Sequence, residues 1–274
     1  MSILDANTLA AGFADADIAV KLHVFGRLPS TQTYLKNHAN NLATHGIPSA
    51  YNAELCICDW QTDGNGRRGR SWSSKPGNIT FSLLTQSGRD QSELMGLSLV
   101  TGICLSETIR ELTGFPTSAK WPNDVILQDE KLAGILVDIC PQREGEHLNI
   151  ITGIGLNYLE DSDTDHLEGL GVTSLAAHGE VLPSRIEIIV AAVKSIIDGY
   201  SLFEEQGWPP FVKRWDALDY LKDKDIEVQL AKGEPLYGQA AGVAPDGALL
   251  VTRDGQTSSF HNAEVSVRLS SNIT

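Results

Sequence analysis

Residues 64–72 read Gly64-Asn65-Gly66-Arg67-Arg68-Gly69-Arg70-Ser71-Trp72, three glycines and three arginines in nine positions. Gly64, Gly66 and Gly69 match the GxGxxG dinucleotide fingerprint. Gly64 through Ser71 match a P-loop, with Arg70 where its lysine should stand. Each motif needs a helix to begin directly after it, so that the helix N-terminus holds the phosphate. Here Pro76-Gly77 follows within a few residues, and then the apolar run Asn78–Thr85 (NITFSLLT) begins. Upstream, Glu54–Gln61 (ELCICDWQ) alternates as a strand does. The stretch is therefore strand, loop (Gly64–Gly77), strand, and neither nucleotide fold applies. What remains is a glycine loop carrying arginine. Glycine lets backbone N–H groups come close to an anion, and arginine neutralises carboxylate or phosphate through a bidentate fork.

The rest of the composition sharpens that reading. The chain has 274 residues, with 21 Lys+Arg against 35 Asp+Glu, a formal charge of −14. Arginines so concentrated in so acidic a chain favour anion binding over a solvated basic turn. The acidic balance argues against duplex DNA or a membrane surface as partner, since both need clustered positive charge. With 42% hydrophobic and 20% charged residues the composition is globular. No apolar run is long enough for a membrane helix. The N-terminus has no basic region ahead of an apolar stretch, as a secretory signal would, so a cytoplasmic location is expected. The four cysteines form no CxxC, and the seven histidines show no HxxxH or HExxH spacing. Buried cysteines and no structural zinc are the expectation.

Residues 1–29 carry few signals: they are too short for a helix-turn-helix domain, and Gly12, Gly26 and Pro29 interrupt them. A helix is predicted from Ser30 to Thr44, with Ser30 or Thr31 as N-cap and Gly46 as stop. Asp90 to Leu112 reads as the first long helix, opened by Asp90 and Glu93 as a capping box and ended by Gly114 and Pro116. Strands follow at Val125–Gln128, Leu132–Ile139 and Leu148–Tyr158, with Asp129-Glu130 turning the first hairpin. Glu160 to Gly171 reads as a mobile loop. Ser184 and Glu187 cap a second long helix, and Pro209 or Pro210 starts a third. Lys222-Asp223-Lys224-Asp225 reads as a linker. Beyond it the short strands IEVQL, GALLVTR and EVSVRL imply a small β-barrel. The predicted domains are 1–221 and 222–274.

Two further segments carry chemistry. One is Lys120-Trp121-Pro122-Asn123-Asp124, followed by Lys131-Leu132-Ala133-Gly134. The other is Gly153-Ile154-Gly155-Leu156-Asn157. Two glycines weaken a strand unless something must approach its backbone. Taken singly, each segment is better explained by an ordinary turn or edge. Together with the arginine loop they describe a site with several cations, one carboxylate and close backbone approach. That suits a nucleotide and a small carboxylate, with cations spreading charge as the carboxylate attacks a phosphate.

These segments resemble the biotin protein ligases (biotin–acetyl-CoA-carboxylase ligases). GNGRRGRSW is similar to that family's GRGRRGRxW loop, and KWPND, KLAGIL and GIGLN stand in its order and spacing. Pro29-Ser30-Thr31-Gln32 resembles its PSTN, and PDGALL and EVSVRL resemble its last domain, so the likeness runs from about Ser30 to Leu269. The resemblance implies an α+β fold: a mixed β-sheet flanked by helices, of the class II synthetase and biotin–lipoate ligase kind, then a small SH3-like barrel. It implies that biotin and ATP, with Mg²⁺, give biotinyl-5′-adenylate. The biotinyl group then passes to a lysine of a biotin carboxyl carrier protein, that of acetyl-CoA carboxylase or of another biotin-dependent carboxylase.

By position, the resemblance assigns biotin to Ser30, Thr31, Gln32, Gln61, Asn65, Gly66, Arg67 and Lys131. Arg67, Lys131 and Asp124 become the catalytic group, with Asp124 also toward Mg²⁺. Arg70, Lys120, Asn123 and Asn157 fall to the nucleotide. Gln32 departs from the family's Asn and Asn65 from its first Arg, and a Trp found in some relatives before Thr173 is missing. With about thirty residues ahead of the first motif, a ligase without a DNA-binding domain is expected, with no nucleic-acid or membrane partner; a homodimer is compatible. A lipoate or octanoyl ligase or transferase is the sister reading, and a non-catalytic biotin sensor the non-enzyme one.

Overall fold

A computed structural model describes residues 4–41, 52–141, 147–159, 170–230, 234–261 and 265–270. Its helices are α1 (Ala6–Asp15), α2 (Thr31–Asn41), α3 (Leu97–Thr113), α4 (Arg185–Gln206) and α5 (Val212–Leu218). The first strands are β1 (Val20–Leu28), β2 (Ala53–Gln61), β3 (Gly64–Asn65), β4 (Ser71–Trp72) and β5 (Ile79–Ser87). Then come β6 (Ser118–Lys120), β7 (Asp124–Leu127), β8 (Glu130–Pro141) and β9 (Leu148–Leu156). The last are β10 (Asp225–Leu230), β11 (Leu236–Val243), β12 (Leu249–Arg253), β13 (Gln256–Phe260) and β14 (Val265–Leu269).

Seven strands form one mixed sheet in the order β1-β2-β5-β9-β8-β7-β6. β1 runs parallel to β2, and every other neighbouring pair is antiparallel. The sheet is covered on both faces, which explains why its central strands read as nearly continuous apolar runs. Alternate side chains of β2 and β5 enter opposite layers. Leu55, Ile57 and Leu83 join the large core that also holds residues of α1, α3 and α4. Cys56 and Leu84 pack instead with Leu35 and Ala39 of α2. The fold is thus α+β with helices on both faces, as expected. Among the described residues no helix is long and apolar enough to cross a membrane.

The capping signals are realised. Ser30 Oγ accepts the Thr33 N–H ahead of α2. Ser184 Oγ accepts the Glu187 N–H while the Glu187 carboxylate accepts the Ser184 N–H, closing the box on α4. Replacing Ser184 by alanine removes half of that box. It should cost about 1 kcal/mol of stability, read as a lower urea midpoint at an unchanged denaturant slope. The Asp90–Glu93 box is present, but it opens a 3-10 turn over Gln91–Gly96, and the α-helix begins only at Leu97. Gly114 ends α3 in the left-handed conformation (φ 74°), its N–H returning to the Arg110 carbonyl.

Several expectations are corrected. The N-terminal stretch forms α1, capped by Asp5, and the edge strand β1. Gly12 does not break α1, because its missing side chain lets the helix approach Val190 of α4. The hairpin between β7 and β8 turns on Gln128-Asp129, which take positive φ (50° and 63°), and Glu130 already opens β8. Gly64–Gly77 is no open loop: β3 and β4 pair around a 3-10 turn at Arg67–Gly69. The run Lys222–Asp225 is tied to β11 rather than slack: Asp223 N–H donates to the Ala240 carbonyl, Ala240 N–H to that of Lys224, and Asp225 begins β10. The predicted end of α2 at Thr44–Gly46 and most of the 160–171 loop lie outside the described residues.

After residue 224 the chain forms a five-stranded antiparallel sheet, β13-β12-β11-β10-β14. Its Ile226, Val228, Leu249, Val251 and Val267 belong to the same apolar core as the first sheet. Cys56, Cys58 and Cys104 are buried and unbridged, and Cys140 is half-buried. Burial pushes the Cys56 thiol well above its ordinary range.

Candidate functional site

The two sheets and the β3–β4 hairpin enclose a cavity of about 460 Å³, within the range of small-molecule sites. One end is polar and sits where α2 begins. The Thr31 N–H and hydroxyl both donate to Gln61 Oε1, at 2.8 and 3.0 Å. Thr31 Oγ1 lies 2.9 Å from Ser82 Oγ, and Ser82 donates to Gln32 Oε1 at 2.9 Å. The Gln32 amide donates in turn to Asp138 and to the Ile151 carbonyl, at 2.8 and 2.9 Å. Ser30, Thr31 and Gln61 line the cavity, whereas Gln32 is buried behind them. The longer side chain at position 32 thus braces the wall rather than facing the lumen.

The arginine hairpin closes one side. Gly66 N–H donates to the Arg70 carbonyl (2.7 Å), and Arg68 and Gly69 both take left-handed backbone (φ 57° and 71°). That turn lets Arg67, Arg68 and Arg70 all reach the cavity wall. Asn65 and Gly66 line it too, and the Asn65 amide donates to Thr33 Oγ1 at 2.9 Å. Arg67 reaches across to Asn123 Oδ1 at 2.9 Å. Burial, helped by the neighbouring Arg68, lowers the Arg67 guanidinium to about 10, against the pull of Asp124. It stays a cation at neutral pH.

The paired strands β8 and β9 present Gly134 opposite Gly155. The Trp72 indole lies across both: a Cβ built on Gly155 would meet Trp72 Cε2 at 2.1 Å, and one on Gly134 would meet Cζ3 at 2.7 Å. At Gly153 a Cβ would stand 2.6 Å from Gln32 Oε1. The close backbone approach that these glycines predicted is therefore made by protein side chains, and the exposed part of the indole becomes cavity wall.

Two lysines complete the cationic part of the wall. Lys131 Nζ forms an ion pair with Asp124 Oδ1 at 2.7 Å and stands 5.5 Å from the centre of the Trp72 ring. Lys120 is buried and donates to the Val267 carbonyl at 3.1 Å. Burial pushes its ammonium below the ordinary range, against the pull of Asp124. Asn123 is pinned to β8 by reciprocal bonds with Ile135, each 2.9 Å.

The structure thus brings Ser30, Thr31, Gln61, Asn65, Gly66, Arg67, Arg70, Lys120, Asn123, Asp124 and Lys131 to one cavity. Gln32 and Asn157 are not in its wall. Asn157 donates to the Thr173 carbonyl at 3.0 Å and so fixes the segment after β9. The wall also holds Trp72, Phe81 and Arg268, which the sequence reading left without a role. Trp72 had a signal, since it closes the arginine motif. Arg268 had none, because one arginine in a C-terminal strand looks like any exposed charge. Among the described residues, six cationic side chains (Arg67, Arg68, Arg70, Lys120, Lys131 and Arg268) face one lining carboxylate, Asp124. This suits a polyanion lying beside a smaller, less charged group at the Thr31–Gln61 end.

Such a fold and such a wall define an enzyme class that joins a small carboxylic acid to another molecule with the help of a nucleotide. The chain belongs to the Biotin/lipoate A/B protein ligase family, whose pattern matches residues 24–157. It is 31% identical over 242 residues to the bifunctional ligase/repressor BirA of Escherichia coli, covering 88% of this chain and 72% of that one. It is 26% identical over 228 residues to the biotin–[acetyl-CoA-carboxylase] ligase of Mycobacterium tuberculosis, covering 80% and 81%. Among solved structures, biotin protein ligase from Aquifex aeolicus in complex with biotin and ATP superimposes with a TM-score of 0.74 at 25% identity, over 91% of this chain and 99% of that one.

Proposed function

We propose that this protein is an ATP-dependent biotin ligase that makes biotinyl-5′-adenylate and transfers the biotinyl group to a lysine of a biotin carboxyl carrier protein. The observation that carries the reading is the cavity itself: a small polar end at Thr31–Gln61 and a strongly cationic end, meeting at Arg67 and Lys131. Biotin takes the polar end, held by Ser30, Thr31, Gln61, Asn65 and Gly66, with Trp72 as its apolar wall. Gln32 acts through the Ser82–Thr31 contacts, as a positioning residue. ATP takes the cationic end, where Arg70, Lys120, Asn123 and Arg268 meet its nucleotide. Asn157 supports that end by holding the Thr173 segment.

In the first step a biotin carboxylate oxygen attacks the α-phosphorus, a P–O bond forms, and the bond to pyrophosphate breaks. Two anions must meet, and Arg67 and Lys131 offset their repulsion and the charge that develops. In the second step the carrier lysine, as a neutral amine, attacks the acyl carbon. The C–N bond forms, AMP leaves, and the amine loses a proton. The adenylate reacts readily with water, so the Gly64–Trp72 hairpin over the cavity serves to exclude it.

Mg²⁺ usually binds through one or two carboxylates plus substrate phosphates. Asp124, the one lining carboxylate among the described residues, fits an ion that arrives with ATP, neutralising phosphate charge. The acceptor we propose is the carrier domain of acetyl-CoA carboxylase or of a related biotin-dependent carboxylase. The sheet after residue 224 is read as a small SH3-like barrel forming a second domain that lends Val267 and Arg268 to the nucleotide end.

The test is the intact mass of an apo carrier domain after incubation with this protein, Mg·ATP and either biotin or lipoate. A gain of one biotinyl group that requires ATP is the expected result. A gain only with lipoate would move the protein to the sister activity, and no gain with either would overturn the ligase reading.

A further inference from the structure

Away from the cavity, two histidines and a glutamate from three different elements converge under α2. Glu54, the second residue of β2, is fully buried. His23 Nε2, from β1, and His38 Nε2, from α2, each lie 2.8 Å from the same oxygen, Glu54 Oε2. All three potential ligand atoms fall within 4.8 Å of one another. None of the three lines the cavity. Glu54 is seven residues from Gln61 along β2, which is about 23 Å of strand.

Burial of one carboxylate does not require this arrangement. Lys21, paired with Glu54 across β1 and β2, already places its ammonium 3.2 Å from Glu54 Oε1 and neutralises the charge. Two imidazoles are added on the other oxygen. Their orientation is fixed by a further shell: Tyr34 OH sits 3.2 Å from His23 Nδ1, and the Tyr34 ring stacks on His38 one turn along α2. Histidine ligands characteristically have the second ring nitrogen held in this way.

We infer that His23, His38 and Glu54 form a binding site for a divalent transition-metal ion of the zinc type. Two imidazole nitrogens with one carboxylate oxygen is a donor set suited to Zn²⁺ and poorly suited to Mg²⁺. Ligand bonds of 2.0–2.1 Å in a tetrahedron put ligand atoms about 3.3 Å apart. Each nitrogen therefore needs to move from Oε2 by about half an ångström, and the two nitrogens, within 4.8 Å of each other, to take up the same spacing, the ion replacing two hydrogen bonds. Each neutral imidazole then carries its proton on Nδ1, and that of His23 donates to the Tyr34 hydroxyl. The His38 side chain keeps 25% of its surface exposed and His23 14%, which leaves an entry path and room for a water as fourth ligand. Spacing alone could not reveal the site, because its ligands are brought together by the sheet and the helix above it. An ion here would staple α2, whose first turn carries Thr31, to both strands beneath.

The experiment uses the full chain without added histidine tags, dialysed against a chelator and titrated with Zn²⁺ by calorimetry, with Co²⁺ absorption as the spectroscopic readout. One Zn²⁺ per chain is expected, with no uptake of Mg²⁺ by the ligand-free protein and no thiolate band in the cobalt spectrum. His38→Ala, at the open rim, should abolish the uptake. Tyr34→Phe should keep all three ligands and weaken binding 10- to 100-fold. Zinc should also raise the melting temperature of the unaltered chain, and that gain should vanish in His38→Ala. Absence of stoichiometric binding by the folded chain, or binding that is the same in His38→Ala, would overturn the proposal. The outcome does not depend on whether the cavity takes biotin.

Discussion

Replacing Lys131 by alanine should reduce ATP–pyrophosphate exchange in the presence of biotin by 10²–10³-fold, the usual effect of removing one group aimed at developing transition-state charge. Lys131 stands 2.7 Å from Asp124 and beside Trp72, at the junction of the cavity's polar and cationic ends. Its loss leaves Asp124 facing the incoming phosphates without its ion-pair partner, so the substitution both removes attraction and exposes repulsion. The second step should suffer less. Supplied with ready-made biotinyl-adenylate, the variant should still biotinylate a carrier domain at a rate much nearer the normal one, because the two anions have already been joined. An exchange rate equal to that of the unaltered protein would remove Lys131 from the role given to it.

Gly155→Ala should do comparable damage through packing. A Cβ at this position would lie 2.1 Å from Trp72 Cε2 and 2.3 Å from its Nε1. Residue 155 is on the interior strand β9, bonded to both β5 and β8, so the backbone has little freedom to retreat and the indole must leave its seat. Overpacking of this kind costs about 1–3 kcal/mol. It would also remove the wall proposed for biotin, so biotin affinity by calorimetry should fall at least tenfold. The double variant Trp72→Ala with Gly155→Ala supplies the control. With the indole gone the added methyl has space, and the second substitution should cost far less stability than it does alone. Equal losses in both backgrounds would show that Trp72 does not occupy the groove between Gly134 and Gly155.

The cavity was legible in the sequence where local chemistry is strong. Arginines massed among glycines in an acidic chain announced an anion site. Gly153 and Gly155 announced a close approach, though not that Trp72 and Gln32 make it. Capping boxes at Asp90 and Ser184 marked two helix starts, one correctly and one six residues early, at Gln91 instead of Leu97, since the same box serves a 3-10 turn equally well. The illegible parts depend on distant partners. β1 is an edge strand whose residues are mostly half-buried, so it lacks both the alternation of a one-sided strand and the continuous run of a central one. Gly12 looked like a breaker because Val190, which it accommodates, lies in α4. Gln32 resembled a ligand contact by position, yet its extra methylene carries the amide to Asp138 and Ile151.

The Lys120–Val267 bond joins residues 147 apart in sequence, and Trp121 donates to the Gly247 carbonyl over a separation of 126. A chain that folds as it is synthesised can build the first sheet and the arginine hairpin early, since N-terminal regions fold first. The cationic end of the cavity stays unfinished until β14 docks and supplies Val267 and Arg268. Competence to hold a nucleotide should therefore arrive abruptly and late in biosynthesis, well after the Thr31–Gln61 end has taken its final shape.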